Sequence, residues 1–169
     1  EFVIALISDC CGFEFKYPKI KEDVEHIQIP AQKGWADLMS EKIKFVTSSN
    51  QQPKLIFPGA FNPMHDGHIA MSELANKELS EEVFFEICIQ NVDKPPLSYH
   101  QIKKTIDQFT DSKNWVLTKA GKFSDKAKLF PNSTFIIGAP IMKVLLGNNF
   151  ALSENFPALV RTQFLESVN

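Results

Sequence analysis

The chain has 169 residues, of which 44% are hydrophobic and 22% charged, and this is enough apolar material for one core of ordinary size. A formal net charge of -2 and the lack of any block of Lys and Arg argue against nucleic-acid binding, and no apolar run is long enough to cross a membrane. The three cysteines follow no disulfide pattern and favour a reducing compartment, so we predict a cytoplasmic protein.

Residues 1–50 predict a small α+β segment ahead of the main domain, residues 51–169. Residues 1–8 are mostly apolar, start abruptly and resemble a strand, so we expect this segment to be the end of a preceding domain. Further elements are expected as strands at 13–17 and 24–29 and as a helix over 35–46. A polar stretch at 47–53 that ends in proline is typical of a domain boundary.

Residues 54–79 predict a strand, a tight loop and a helix. The apolar run 55–57 is typical of a buried parallel strand, and apolar residues recur at helical spacing over 69–79. His65 and His68 are therefore expected at the start of the helix, where free backbone N–H groups attract anions. Two histidines beside a glycine-containing loop suit phosphate chemistry, and no nucleophile stands next to them.

Two other interpretations of this stretch remain open. The first is a plain strand-turn-helix unit with two surface histidines. The second is a His-x-x-His metal pair, although a zinc site needs further ligands and no Cys or His cluster accompanies the pair.

The ten residues 59–68, Gly-Ala-Phe-Asn-Pro-Met-His-Asp-Gly-His, resemble the signature of the nucleotidylyltransferase superfamily, Gly-x-Phe-x-Pro-x-His-x-Gly-His, at every fixed position. The resemblance implies that His65 and His68 are catalytic and bind the oxygens of a triphosphate. It also implies nucleotide-binding residues along the loop and at a neighbouring strand end: Gly59, Ala60, Phe61, Gly67 and Gly138.

Strands and helices alternate after this loop. Runs of apolar and β-branched residues predict strands, and amphipathic spacing predicts helices; the strands are expected at 83–90, 114–118 and 134–138, and the helices at 99–110 and 124–129. The alternation predicts an α/β fold, a Rossmann-like parallel sheet with helices on both faces. Its ligand crevice would lie along the strand ends that carry Gly59, Lys94 and Gly138.

A turn with the sequence Asn-Val-Asp-Lys-Pro-Pro follows the second parallel strand at 91–96. One interpretation is a solvated turn that the two prolines hold in place. The turn also resembles the corresponding loop of nicotinate- and cytidylyl-type nucleotidylyltransferases. That resemblance implies that Lys94, together with Asn91, faces the phosphorylated acceptor.

The family resemblance implies a reaction as well. A nucleoside monophosphate, for which we expect adenylyl from ATP, would pass from a nucleoside triphosphate to a phosphorylated acceptor such as a pyridine mononucleotide, a step of NAD biosynthesis that releases pyrophosphate. Mg²⁺ would arrive with the triphosphate and be held mostly by it, because the sequence offers no dedicated set of metal ligands.

The sequence departs from the family pattern in two places. Pro140 stands where members usually carry an acidic residue, and no Ser-rich turn of the form Ser-Ser/Thr-x-x-Arg is found. Arg161, the single arginine, is instead expected on an amphipathic helix over 156–162. These departures leave open an incomplete domain, or a degenerate nucleotide-binding or scaffold module without turnover.

Overall fold

The structure is a computed structural model of the chain. It describes residues 30–90, 95–109 and 113–138, together with 10–14, the single positions 4, 7, 8, 141, 142 and 145, and the backbone of 158–161.

Helices and strands alternate through most of the described chain. In order they are α1 (Lys33–Met39), β1 (Phe45–Thr47), β2 (Leu55–Pro58), α2 (Asp66–Leu79), β3 (Val83–Cys88), α3 (Tyr99–Ile106), β4 (Asn114–Thr118), α4 (Phe123–Leu129), β5 (Thr134–Ile137) and β6 (Ala158–Arg161).

The strands of the described part form one six-stranded sheet in the order β1-β4-β3-β2-β5-β6. Strands β4, β3, β2 and β5 run parallel, and the two outer strands run antiparallel to their neighbours. The chain begins the parallel part at β2, moves outward to β3 and β4, and returns to the other side of β2 with β5. The order therefore reverses between β2 and β5, and this is the point at which open α/β sheets bind their ligands.

Both faces of the sheet are covered. Alternate residues of a strand point to opposite faces, so Phe57 and Phe85 pack with Trp35, Ala75 and Ile102 of helices α1, α2 and α3. The other face carries a second cluster that includes a residue of α4, with the members Ile56, Phe84, Val116, Phe135, Ile137 and Ala127. The predicted Rossmann-like α/β sheet with helices on both faces is confirmed.

A buried ion pair lies between the sheet and α4. Both carboxylate oxygens of Glu86 are 2.6 Å from Nζ of Lys126, and the hydroxyl of Thr118 donates to the same carboxylate. Glu86 is 1% exposed and Lys126 is 4% exposed, so each charge has lost its contact with water and is stabilised by the opposite charge of its partner. Removing one partner of such a pair typically costs about 3–5 kcal/mol.

The helix predicted over 35–46 is wrong in its second half. The helix ends at Met39, and Phe45–Thr47 is a strand whose backbone pairs with β4 in register Val46 to Leu117. The β-branched and aromatic residues of this strand fit both patterns, and the hydrogen bonds offered by the free edge of β4 decide between them. The predicted boundary at residue 50 stays a prediction.

The strand predicted for residues 1–8 is also wrong where the structure describes it. Ile4, Ile7, Ser8 and Cys10 are helical, and the N–H of Cys11 donates to the carbonyl of Ile7 at 3.0 Å. A short apolar run does not by itself separate helix from strand. The strand predicted at 24–29 and most of the one at 13–17 lie outside the described residues.

The helix predicted around Arg161 is wrong. Residues Ala158–Arg161 form strand β6, which pairs antiparallel with β5, Ile136 opposite Leu159. The edge of β5 supplies backbone partners that the sequence pattern could not reveal. None of the helices in the described part of the chain is long and apolar enough to span a bilayer.

Candidate functional site

The loop from β2 to α2 lies at the point where the strand order reverses. The N–H of Gly59 donates to the carbonyl of Glu86 at 3.0 Å, which continues the pairing of β2 with β3 past Pro58. On the other side, β2 pairs with β5, with Leu55 opposite Thr134 and Ile56 opposite Phe135, and Gly59 and Gly138 directly follow these two neighbouring strands. The two predicted glycines therefore each stand at the carboxyl end of one of two neighbouring parallel strands.

Gly59 is required because Phe61 folds back over it. A Cβ atom on Gly59 would lie 2.6 Å from Cζ of the Phe61 ring. That ring is 1% exposed and packs against three other phenylalanines, Phe57, Phe85 and Phe109. The side chain of Phe61 therefore belongs to the core, and what this residue offers a ligand is its backbone.

The backbone of Phe61 is strained. Its φ angle is +45°, in the left-handed region that residues with a bulky side chain rarely adopt. Such a conformation costs about 1–3 kcal/mol and persists only where its surroundings enforce it. The buried ring provides part of that enforcement.

Gln108, in the turn after α3, provides another part. Its Nε2 donates to the carbonyl of Phe61 at 2.9 Å, and its Oε1 accepts from the N–H of Met64 at 2.9 Å. Sequence reasoning missed Gln108, because a polar residue placed near the end of a predicted helix gives no sign of partners more than forty residues earlier.

His65 and His68 meet at the start of α2. His65 has extended backbone and is the residue that precedes the helix, and its ring stacks on that of His68 with centroids 3.7 Å apart. A Cβ atom on Gly67 would lie 3.1 Å from Nδ1 and Cε1 of His65. Gly67 therefore leaves room for the His65 ring, which is a packing role within the motif.

His68 is half-buried between the loop and the sheet. Its ring meets those of Phe57 and Phe61 edge to face, at centroid distances of 5.9 and 5.0 Å. Burial, and to a lesser degree the nearby charge of His65, lowers the pKa of His68 below its ordinary value. The N–H of His65 points at Nδ1 of His68 over a long 3.4 Å, an arrangement that puts the proton of the neutral ring on Nε2.

The site also offers backbone donors. Helix α2 has 14 residues, and the N–H of His68 in its first turn donates to the carbonyl of His65 at 2.9 Å. Among the described residues, no hydrogen bond takes up the N–H of Asp66 or Gly67, which lie at the positive end of the helix dipole. Within the described part of the chain, no hydrogen bond takes up the N–H of Ala60 or of Phe61. An anion held near these groups would meet backbone donors and two imidazole rings, which is a set suited to phosphate oxygens.

The described residues contain no group of three or more His, Cys, Asp and Glu side chains arranged to hold a metal ion.

Some residues that the sequence analysis singled out lie outside the part of the chain that the structure describes. Asn91, Lys94 and Pro140 lie outside the described residues, and for Arg161 the structure describes the backbone alone. Lys119, another cation at a strand end, is tied to α1 and the turn after it: its Nζ lies 2.7 Å from a carboxylate oxygen of Glu41 and 3.1 Å from the carbonyl of Met39.

A separate groove lies at the opposite ends of the parallel strands. It is lined by polar residues around the amino ends of β3 and β4, among them Ser72, Asn76, Glu82 and Asn114. Parallel sheets bind ligands at the carboxyl ends of their strands, so the loop between β2 and α2 is the stronger candidate.

Comparison with known proteins identifies a family for this chain. The family model described as cytidylyltransferase-like matches residues 56–159, which is more than half of the chain. The match begins at the second residue of β2 and includes the loop, α2 and the parallel strands β3, β4 and β5. Neither the curated proteins nor the solved structures contain a significant match. The chain therefore belongs to the cytidylyltransferase-like family, and the predicted nucleotidylyltransferase-superfamily domain is confirmed.

Proposed function

We propose that this chain is a nucleotidylyltransferase that moves an adenylyl group from ATP to a phosphorylated acceptor, with a pyridine mononucleotide as the first candidate. The observation that carries the proposal is the loop at the reversal point of the sheet. It combines the N–H groups of Ala60 and Phe61, for which the described residues offer no partner, with the stacked rings of His65 and His68 at the start of α2. Membership of the cytidylyltransferase-like family supports nucleotidyl transfer as the reaction class.

The proposed reaction needs no covalent enzyme intermediate. An oxygen of the acceptor phosphate attacks the α-phosphorus of the triphosphate, a new P–O bond forms, and the bond from the α-phosphorus to the bridging oxygen breaks so that pyrophosphate leaves. In such a transfer the protein contributes positioning and charge stabilisation. Mg²⁺ enters as part of the nucleotide substrate.

His68 has the central role in this proposal. As a neutral ring it donates from Nε2 to a phosphate oxygen, and His65 stands beside it as the second donor. Loss of one donor aimed at the developing charge typically costs about 3–4 kcal/mol, a factor of roughly 100 to 1,000 in rate. The backbone N–H groups of Ala60 and Phe61 would hold the nucleotide, and Gly59, whose N–H is paired with Glu86, and Gly138 would line the site at the strand ends.

The acceptor side of the proposal rests on the sequence. Lys94 and Asn91 would face the acceptor's phosphate, and the choice of adenylyl and of a pyridine mononucleotide rests on the family resemblance of the loop sequences. A cytoplasmic location remains an expectation from the three cysteines and their spacing.

A second candidate is a nucleotide-binding module without turnover. The observation that favours it is Pro140 in the place of an acidic residue, since proline removes both a carboxylate and a backbone donor. The two candidates differ in one product, pyrophosphate.

The deciding experiment measures pyrophosphate release with each of the four common nucleoside triphosphates and a panel of phosphorylated acceptors. We expect release with one triphosphate and one acceptor class, a loss of roughly 100- to 1,000-fold in His68→Ala, and no loss in the control His100→Ala, whose residue is exposed on α3. Triphosphate binding without release under any pairing would favour the module. Equal release by His68→Ala and wild type would overturn the assigned role of His68.

A further inference from the structure

We propose that Gln108 is a positioning residue, which holds the loop between β2 and α2 in the conformation that presents its N–H groups and histidines to the ligand. The side-chain amide bridges the two ends of the loop tip. Nε2 donates to the carbonyl of Phe61, and Oε1 accepts from the N–H of Met64, both at 2.9 Å. This inference rests on the proposed function, because it concerns the same ligand site.

The orientation of this amide is set by its partners. Nε2 also donates to the carbonyl of Thr105 at 3.3 Å, so both of its hydrogens have acceptors while Oε1 faces a donor. A flipped amide would turn its oxygen toward two carbonyls and its NH₂ group toward an N–H. Only one orientation of the Gln108 amide therefore matches every donor with an acceptor. Few other side chains present a donor and an acceptor at this spacing.

The bridged segment is the part of the loop that needs support. Phe61 has a φ angle of +45°, and its ring closes over Gly59. Met64 directly precedes His65, the residue that begins the stacked pair. Gln108 thus fixes the strained backbone at one end and the approach to the histidines at the other.

The segment that carries Gln108 is packed into the core. It follows α3, which begins with a Ser98–Gln101 capping box and buries Ile102 completely in the core. Phe109, the next residue, packs its ring on those of Phe61 and Phe85. The turn 107–109 therefore holds the loop from two sides, through a polar bridge and an aromatic contact.

A misplaced loop should slow the reaction more than it weakens binding. Displacing reacting groups by about 1 Å can cost roughly 100-fold in rate. We expect Gln108→Met, which keeps the length of the side chain and removes both hydrogen-bonding groups, to lower kcat by about 10- to 100-fold with a smaller change in KM for the triphosphate. The matched control is Gln52→Met, the same change at an exposed position of the loop before β2.

A second readout separates positioning from general stability. Histidine NMR titration follows the ring of His68, which is half-buried against Phe61 and Phe57. If Gln108 holds the loop, Gln108→Met should loosen this packing and move the pKa of His68 toward its ordinary value in protein that is still folded. The control should leave the titration unchanged.

Gln108→Glu provides a variant that can recover. The carboxylate of this variant can still accept from the N–H of Met64, but it has no hydrogen to donate to the carbonyl of Phe61. Protonation at lower pH supplies one O–H donor for that carbonyl. We therefore expect its defect relative to wild type to shrink as the pH falls. This variant also decides the proposal if Gln108→Met does not fold.

The outcomes separate the two proposals. Unchanged kcat together with an unchanged His68 titration in folded Gln108→Met would overturn the role of Gln108. If wild type itself releases no pyrophosphate, the proposed function fails. The Gln108 proposal is then decided by the titration and by the change in triphosphate-induced NMR shifts at Phe61 and Met64, where equal shifts in variant and wild type would contradict it.

Discussion

His65 and His68 stack face to face at the start of α2, with their ring centroids 3.7 Å apart. Two imidazolium cations this close would repel, so the charge of His65 disfavours a proton on His68. His68 is in addition partly withdrawn from water by Phe57 and Phe61, and burial and the neighbouring charge together lower its pKa. The pair therefore favours a neutral His68 until an anion binds, and a bound anion would raise that pKa again.

The first prediction concerns stability against pH. The pKa of His68 is lowered from 6.5, so between the two values the unfolded chain binds more protons than the folded one, and stability rises with pH. This contribution is complete above about pH 6.5 and is lost as the pH falls toward the folded pKa. Urea unfolding at pH 7.5 and 5.5 should show that His68→Gln loses less stability on acidification than wild type and than the control His100→Gln. Equal losses in all three proteins would contradict the burial of His68.

The second prediction concerns Gly59. A Cβ atom there would approach the Phe61 ring to 2.6 Å, and the ring has no space to retreat because it is buried among other aromatic residues. Gly59→Ala should lower the free energy of unfolding by about 1–3 kcal/mol, the usual cost of overpacking. The control is Gly34→Ala in α1, where the added atom would meet Val46 at an ordinary 3.4 Å and where alanine favours the helix. A stable Gly59→Ala protein would mean that the ring of Phe61 does not close over this glycine.

The third prediction concerns the buried pair of Glu86 and Lys126. Lys126→Met leaves a carboxylate in the core with Thr118 as its remaining partner among the contacts described above, and it should cost about 3–5 kcal/mol in the free energy of unfolding. The control is Lys103→Met, which breaks an exposed pair with Asp107 and should cost less than about 1 kcal/mol. Chemical denaturation measures both, and similar losses would show that Glu86 and Lys126 are not a desolvated pair.

The fourth prediction concerns Lys94, whose role rests on the sequence. A compact charge at the rim of the crevice should attract the acceptor's phosphate more than the triphosphate. Lys94→Ala should therefore raise KM for the acceptor with a smaller effect on KM for the nucleotide. Lys119→Ala, which removes a lysine engaged by Glu41, is the control. Equal weakening toward both substrates would show that Lys94 does not face the acceptor.

The sequence predicts the parallel part of the fold well because each element carries its own local signal. The apolar run 55–57, the turn residues after it and the helical spacing that follows all agree with β2, the loop and α2. The outer strands are different. Phe45–Thr47 and Ala158–Arg161 become strands because the edges of β4 and β5 offer them hydrogen-bond partners, and a local pattern contains no information about those edges.

In the candidate site, too, the sequence predicts the features that depend on local residues and misses those that depend on distant ones. The motif from Gly59 to His68 predicts which residues line the loop and that the histidines begin a helix. It does not predict that the side chain of Phe61 is buried, that Gly59 serves its ring, or that Gln108 holds the loop. These features arise from contacts between residues far apart in the chain.

The most direct test of the account is an NMR titration of the isotopically labelled chain with Mg²⁺ and ATP, repeated with the other three nucleoside triphosphates. We expect binding in the millimolar range, because two charge-assisted contacts expected from the family pattern are not found in this sequence, and each is typically worth about 1.5–3 kcal/mol. The predicted result is a set of shifts centred on Gly59, Ala60, Phe61, His65, His68 and Gly138. Shifts confined to the groove around Ser72, Asn76 and Asn114, or none at millimolar triphosphate, would contradict the assignment of the nucleotide site.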